Sequence, residues 1–367
     1  MKRLLALPND PITRYLEKGE IKPRYYNAGD TFDEVHLLTW CREDVGVHQV
    51  QCIAGKAQLF IHPLGPPTVP NLLRQLARAG SLARDVSPDV IRAYNPWHCG
   101  LLALRMARSI GVPLAISIHD DFERRRRVFG GARLRLLKLF ERFVLPRATV
   151  VICVSEHLAK YARRFGAKCA KTIYNRVDFA KFSTERAYTL EGRTPVVLSV
   201  GRLDPQKRQD ILIRAVVALD CRLHLVGGGS RESELKELAS ELGIADRVSF
   251  EKAVPHARIP EVYARADIFA MATEHEGFCM PVLEAMASGL PVVACDTPPL
   301  PEVLGGCGIV VGNDPGEFRR AIGELASSQE RRSDLGLSGR RRAEELDGSR
   351  MEELEAGLYA SLLGTAI

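Results

Sequence analysis

Apolar residues follow two rhythms along this chain. In the second half, short apolar-rich runs at 195–200, 222–226, 247–250, 268–271, 291–295 and 308–311 alternate with helically spaced stretches at 210–218, 232–242, 260–266 and 281–289. Runs of that length bounded by Gly, Pro or Asp read as strands buried on both faces, and their alternation with helices predicts a doubly wound parallel sheet. The first half is less regular. Strands are expected at 3–7, 34–40, 47–53, 57–62, 113–118 and 149–154, with another over 88–96 that runs out into a loop. Helices are expected at 69–79, 99–110 and 156–165, the last capped by Ser155. A polar stretch without periodicity at 183–194 divides the halves into domains at 1–186 and 187–349.

Composition narrows the class. A chain of 367 residues exceeds one ordinary core, and 46% hydrophobic with 26% charged residues is the balance of a globular protein. Nine cysteines form no Cys-x-x-Cys pair, and several sit in apolar runs such as Val150-Val151-Ile152-Cys153-Val154. That usage fits buried reduced thiols in a cytoplasmic protein and argues against zinc. Neither a cleavable signal peptide nor an apolar run of about 18 residues is present, so no membrane span is expected.

The net charge of +6 is concentrated. Residues 122–147 hold nine basic side chains against two acids, Glu123 and Glu141. On a helical projection Leu136, Leu137, Phe140, Phe143 and Val144 share one face, and Arg135, Lys138 and Arg142 another. Three readings fit: the apolar face packs into the domain, the helix lies on an anionic membrane surface, or the basic face meets nucleic acid. No aromatic-interleaved basic strand accompanies the patch, so nucleic acid is not an expected partner.

The densest candidate chemistry lies at Glu276-Gly277-Phe278-Cys279-Met280-Pro281-Val282-Leu283-Glu284, followed by Gly289 and Pro291. Pro281 suits a first helical turn and Gly289-Leu290-Pro291 ends the helix, so amides at 280–283 form an anion site at a helix N-terminus. Glu284 leans back toward the same place. Arg202 and Lys207 follow the first strand of the second half, where two cations suit a pyrophosphate. Gly227-Gly228-Gly229 allows close backbone approach after the next strand, yet no Gly-x-Gly-x-x-Gly or Walker lysine motif occurs. His119 stands just past the run at 113–118, at the end of a strand where open α/β sheets bind ligands. Taken singly, each has a plain alternative: a capping acid, surface cations, a satisfied loop histidine. No Asp-x-Asp is present, and a metal-independent reaction is expected.

Together, Gly201-Arg202-Leu203 with Lys207, Leu225-Val226-Gly227-Gly228-Gly229, and Glu276 to Glu284 continuing through Ala285-Met286-Ala287-Ser288-Gly289-Leu290-Pro291-Val292-Val293-Ala294 resemble family 4 retaining glycosyltransferases of the GT-B fold. Thinner matches in the first half are 113–119, Val154-Ser155-Glu156 and Asn175-Arg176-Val177-Asp178, and the family's glycine-rich loop is not visible between Leu7 and Thr31. The resemblance implies two Rossmann-like domains facing a cleft, the first for acceptor and the second for a nucleotide-sugar donor, with the last helix, 350–367, crossing back to the first. It implies that Arg202 and Lys207 hold the donor pyrophosphate and that Glu276 lies near the transferred sugar, with Gly277 and Phe278. Glu284 would accept ribose hydroxyls, and Gly228, Met280, Pro281 and Val282 would complete the donor site. His119 would face the reaction from the first domain. The implied activity is retaining, metal-independent transfer from a UDP- or GDP-sugar co-substrate to a glycan or lipid-linked acceptor, with no other cofactor. It would take place at the cytoplasmic face of a membrane and serve polysaccharide or glycolipid synthesis. Two alternatives are a silent nucleotide-sugar-binding protein and a basic adaptor at a membrane surface or on nucleic acid.

Overall fold

In the computed structural model, residues other than 18, 20, 67–71, 131, 184 and 365–367 are described. They form two parallel sheets. The first carries β1 (Arg3–Leu7), β2 (Glu34–Thr39), β3 (Gln58–Pro63), β4 (Val90–Ala93), β5 (Leu114–Ile118), β6 (Val150–Cys153) and β7 (Ala170–Thr172), ordered β3-β2-β1-β4-β5-β6-β7. The second carries β8 (Val196–Val200), β9 (Arg222–Val226), β10 (Val248–Glu251), β11 (Ile268–Met271), β12 (Val292–Cys295) and β13 (Ile309–Val311), ordered β10-β9-β8-β11-β12-β13. The order reverses between β1 and β4 in one sheet and between β8 and β11 in the other, the doubly wound arrangement. Central strands are buried along their length, as Leu4–Leu7 and Ile268–Met271 show, which is why they read as unbroken apolar runs.

The chain divides into two compact units: Met1–Asp121, Phe129–Tyr174 and Ser349–Ile367 in unit 1, and Phe122–Val128 with Asn175–Gly348 in unit 2. The division falls before the polar stretch at 183–194 because residues leading into it belong with unit 2. Phe182 meets Tyr263 edge to face at 5.8 Å, and Arg186 donates to the carbonyls of Tyr263, Ala266 and Ser288.

Several local expectations are corrected. Residues 47–53 are not a strand but the helix Val47–Val50 running into the 3-10 turn Gln51–Ala54. Val50, Ile53 and Ala54 are the buried positions there, a helical spacing, and the parallel pair β2 and β3 needs a crossover at this point. Of the helix expected at 69–79, residues 69–71 lie outside the described residues, and the remainder belongs to Leu72–Val86. The helices Pro315–Ser327 and Gln329–Glu345 were not expected at all.

The basic segment turns the packing reading around. In the helix Ala132–Val144, Leu136 and Leu139 are each 61% exposed, Phe140 36% and Phe143 42%. Glu141 is the side chain turned inward, accepting from Trp97 Nε1 at 3.0 Å and from the Tyr161 hydroxyl. Val144 is buried as expected; the side chains of Arg133 and Arg135 lie outside those described.

Within unit 1 the helix Gly348–Gly364 is tied to the sheet by a buried charge. The Arg92 guanidinium pairs with Glu355, donates to the Tyr359 hydroxyl at 2.6 Å and reaches Ser117 Oγ at 2.9 Å. Glu355 and the neighbouring phenols hold Arg92 well above its ordinary pKa against the cost of burial. Removing one partner of such a pair strands the other in a low dielectric. Glu355→Ala is expected to lower unfolding free energy by about 3–5 kcal/mol, read from urea denaturation.

Candidate functional site

The reversal of strand order between β8 and β11 opens both strands' C-terminal ends to one place. After β8 the chain runs through Gly201, Arg202 and Leu203 to the 3-10 turn Pro205–Lys207. After β9, Gly227 adopts φ +140°, and a Cβ there would lie 2.1 Å from the Gly201 carbonyl oxygen. A Cβ on Gly229 would meet the Leu203 backbone at 2.4 Å. Leu203 N donates to Gly228 O at 3.0 Å and Gly201 N to Val226 O at 2.9 Å, so the two loops are zipped together where only glycine lets them approach. The close approach expected of Gly227-Gly228-Gly229 is to the neighbouring loop.

Lys207 points from this turn to the loop after β11. Its Nζ lies 2.5 Å from Glu276 Oε1, and both side chains are nearly buried. Burial alone would lower the lysine pKa; the Glu276 carboxylate outweighs it and raises the value, so Lys207 stays charged. Arg202 instead pairs with Asp204 at 2.7 Å with its side chain 69% exposed. The structure therefore brings Lys207 and Glu276 together and leaves Arg202 turned to solvent, held by a bond of the kind worth about 0–1 kcal/mol.

Beyond Glu276, Gly277 and the buried Phe278 lead to Cys279 at φ +75° and the helix Met280–Ala287, with Pro281 in its first turn as expected. No side chain caps this helix. Pro281 has no N–H and Val282 N donates to Cys279 O at 3.2 Å, so of the amides expected to bind an anion at 280–283 these two positions do not stand open. Glu284 is buried one turn on. The Tyr263 hydroxyl donates to its Oε2 at 2.8 Å, and His256 Nε2 stands 3.6 Å from its Oε1. His256 is held in turn by Lys181, whose Nζ lies 2.8 Å from the ring Nδ1 and 2.7 Å from the His256 carbonyl oxygen. An ammonium has only protons to give, so Nδ1 accepts from Lys181 and Nε2 is the ring nitrogen facing Glu284. Neither Tyr263 nor Lys181 was singled out from sequence, since an aromatic and a lysine in short helices look like core and surface.

His119 belongs to unit 1, immediately after β5. Burial lowers its pKa to about 4, with Arg92 adding to the effect, so the ring is neutral near pH 7. Among the described residues no group of three His, Cys, Asp or Glu side chains is arranged to hold a metal ion.

Comparison with known proteins follows the same division. Residues 181–342 match the family described as "Glycosyl transferases group 1", and residues 33–181 match "Glycosyltransferase Family 4". The chain is 36% identical over 241 residues to a GDP-mannose-dependent alpha-(1-6)-phosphatidylinositol monomannoside mannosyltransferase of Mycolicibacterium smegmatis, spanning 57% of this chain and 63% of that protein. It is 37% identical over 158 residues to a D-inositol 3-phosphate glycosyltransferase of Nocardia farcinica, spanning 39% of this chain and 35% of that one. In three dimensions it resembles the sucrose-phosphate synthase of Thermosynechococcus elongatus at TM-score 0.79 and 19% identity over 100% of both chains. Anabaena HepE, solved with UDP, superposes at TM-score 0.79 and 20% identity over 98% of this chain and 100% of that one. The two sheets, their strand orders and the matched regions make this chain a member of glycosyltransferase family 4, built on the GT-B fold.

Proposed function

We propose that the protein is a retaining, metal-independent glycosyltransferase that moves a sugar from a UDP- or GDP-sugar to a glycan or lipid-linked acceptor. In this reading unit 2 binds the donor and unit 1 the acceptor, in polysaccharide or glycolipid synthesis at the cytoplasmic side. The observation that carries it is the buried Lys207–Glu276 pair beside an uncapped helix N-terminus at the β8/β11 reversal. A cation kept charged in a low-dielectric place, at the positive end of a helix dipole, is prepared for an anion. The donor pyrophosphate draws Lys207 from Glu276 and Arg202 from Asp204, and the amides at the head of the helix meet the remaining phosphate oxygens. These groups supply the counter-charge to the departing nucleoside diphosphate. Glu276, relieved of Lys207, accepts from hydroxyls of the transferred sugar, with Gly277 and Phe278 beside it. Glu284 keeps Oε2 on Tyr263 and offers Oε1 to the ribose. Neutral His119 is assigned a sugar hydroxyl. Retention then proceeds on the front face through an oxocarbenium-like state, the acceptor attacking on the side the diphosphate leaves.

A silent nucleotide-sugar-binding protein is the competing reading, and the experiment separates the two. A thermal-shift panel of UDP, GDP, UDP-glucose and GDP-mannose is expected to show stabilisation, about 2.7 kcal/mol at 100 times the dissociation constant. Release of nucleotide in the presence of phosphatidylinositol mannosides or inositol phosphates is expected to follow. Binding without release would favour the silent protein, and no shift at all would end the donor-binding reading. The two acids are expected to divide the labour. Glu284→Ala should chiefly raise the donor KM, and Glu276→Ala should chiefly lower kcat, by about 100-fold if it meets charge that develops only in the transition state.

The exposed stripe Leu136, Leu139, Phe140 and Phe143 favours peripheral membrane binding. These residues fall at i, i+3, i+4 and i+7, and the only acid of the helix Ala132–Val144 is turned inward. Exposed Arg142 and half-buried Lys138 are left to flank the stripe, the composition of a helix that lies in an anionic interface. No helix among the described residues is long and apolar enough to cross a bilayer. Co-sedimentation with vesicles containing phosphatidylglycerol is expected for the parent chain and to be lost when Leu136, Leu139 and Phe140 are replaced by Ser. Equal sedimentation of the two would exclude this face.

A further inference from the structure

The reversal between β1 and β4 in unit 1 has its own pair of polar atoms, and no described residue satisfies them. Tyr94 is the first residue past β4, anchored by its backbone N–H to Leu7 O at 3.0 Å across the reversal. His119 is the first past β5, the strand next to β4. Their rings stack with centroids 5.7 Å apart at 14°. The Tyr94 hydroxyl and His119 Nε2 are both covered, and neither has a hydrogen-bond partner among the described residues. Leaving two such atoms unpaired costs about 1–3 kcal/mol each, a cost that folds retain where a ligand completes the bonds.

We propose that the Tyr94 hydroxyl and His119 Nε2 form a hydroxyl-recognition subsite of unit 1 for a neutral polyol, and that Tyr94 is a substrate-contacting residue. The chemistry selects the ligand class. The phenol is pushed well above its ordinary pKa by burial and keeps its proton, while neutral His119 offers one N–H and one lone pair. A sugar or inositol hydroxyl both donates and accepts, so it can take the phenol proton in one hydrogen bond and meet the imidazole nitrogen in another. An anion is not favoured. The nearby cation, Arg92, lies 4.5 Å from the Tyr94 ring centre, but its charge is already met by Glu355. Tyr25, stacked on Tyr94 at 6.0 Å, and Tyr26, edge-on at 5.4 Å, extend the aromatic wall. This inference rests on the glycosyl-transfer reading only for placing the polyol in a substrate.

Tyr94→Phe tests it, because a structural hydroxyl and a ligand-binding one give opposite results. Phe removes a buried unpaired group, so the unfolding midpoint is expected to stay level or rise. Activity is expected to fall, with kcat/KM lower by about tenfold or more, the worth of one lost hydrogen bond to substrate. Free myo-inositol, D-mannose and D-glucose are titrated in parallel by saturation-transfer NMR, and the response of at least one is expected to be present in the parent and lost in Tyr94→Phe. Unchanged kcat/KM, a polyol response equal in the two proteins, or a midpoint that falls in step with activity would overturn the proposal. If the parent neither binds nor turns over any nucleotide sugar, the glycosyl-transfer reading falls alone. The polyol titration then still decides the subsite, and no response in the parent overturns it.

Discussion

Parallel strands impose a constraint on which the rest of this molecule depends. Every strand of both sheets runs parallel to its neighbours, so each connection returns by a crossover and all the C-terminal ends of a sheet lie along one edge. Where strand order reverses, consecutive crossovers pass on opposite faces and the edge is left uncovered. The Lys207–Glu276 pair stands at one such reversal and Tyr94 at the other. Sequence-distant residues come together there for a topological reason, and the glycine contacts between the loops after β8 and β9 let that edge close tightly without filling it.

Buried charge is handled in two ways in this chain. Arg92 has three partners: Glu355 and Tyr359 accept from Nη1 and Ser117 from Nε, and the result is attachment. Arg193 is likewise engaged, with two bonds to Asp267, which also accepts from Val196 N. Lys207 has one carboxylate and stands beside the start of a helix that no side chain caps. A pair so lightly held gives up its partner at small cost when a better anion arrives, whereas the Arg92 cluster resists change because its charge and its partners are buried together. The difference in provision separates the pair proposed for the donor site from the structural ones more clearly than burial does.

The parts of the fold legible in the sequence are those where apolar pattern and burial agree. Strands β8, β11 and β12 are short apolar runs largely buried on both faces, whereas β9, β10 and β13 carry exposed or half-buried positions, and the Glu276-to-Pro291 stretch carries its own start and stop residues. Legibility fails where a charged residue occupies an interior position. Glu141 reads as polar and is fully buried, so the helix Ala132–Val144 sits turned relative to its apolar projection. Arg332 is buried in Gln329–Glu345, donating to the carbonyls of Tyr188 and Leu325, and the surrounding charges hide that helix from any search for apolar period. Likewise the support of Glu284 by Tyr263, and of His256 by Lys181, is a matter of tertiary geometry that spacing along the chain does not encode.

Because unit 1 is assembled from separated segments and tied together by Arg92 and Glu355, its integrity depends on stretches that flank unit 2 on both sides in the sequence. A single cut cannot exchange it for the corresponding unit of a relative. Recombination at one junction near Tyr174 would bring in a foreign last helix with no carboxylate placed for Arg92, or leave the native helix facing a foreign strand. Chimeras meant to transplant acceptor preference therefore require a matched exchange of the segments before Asn175 and after Gly348, inherited together.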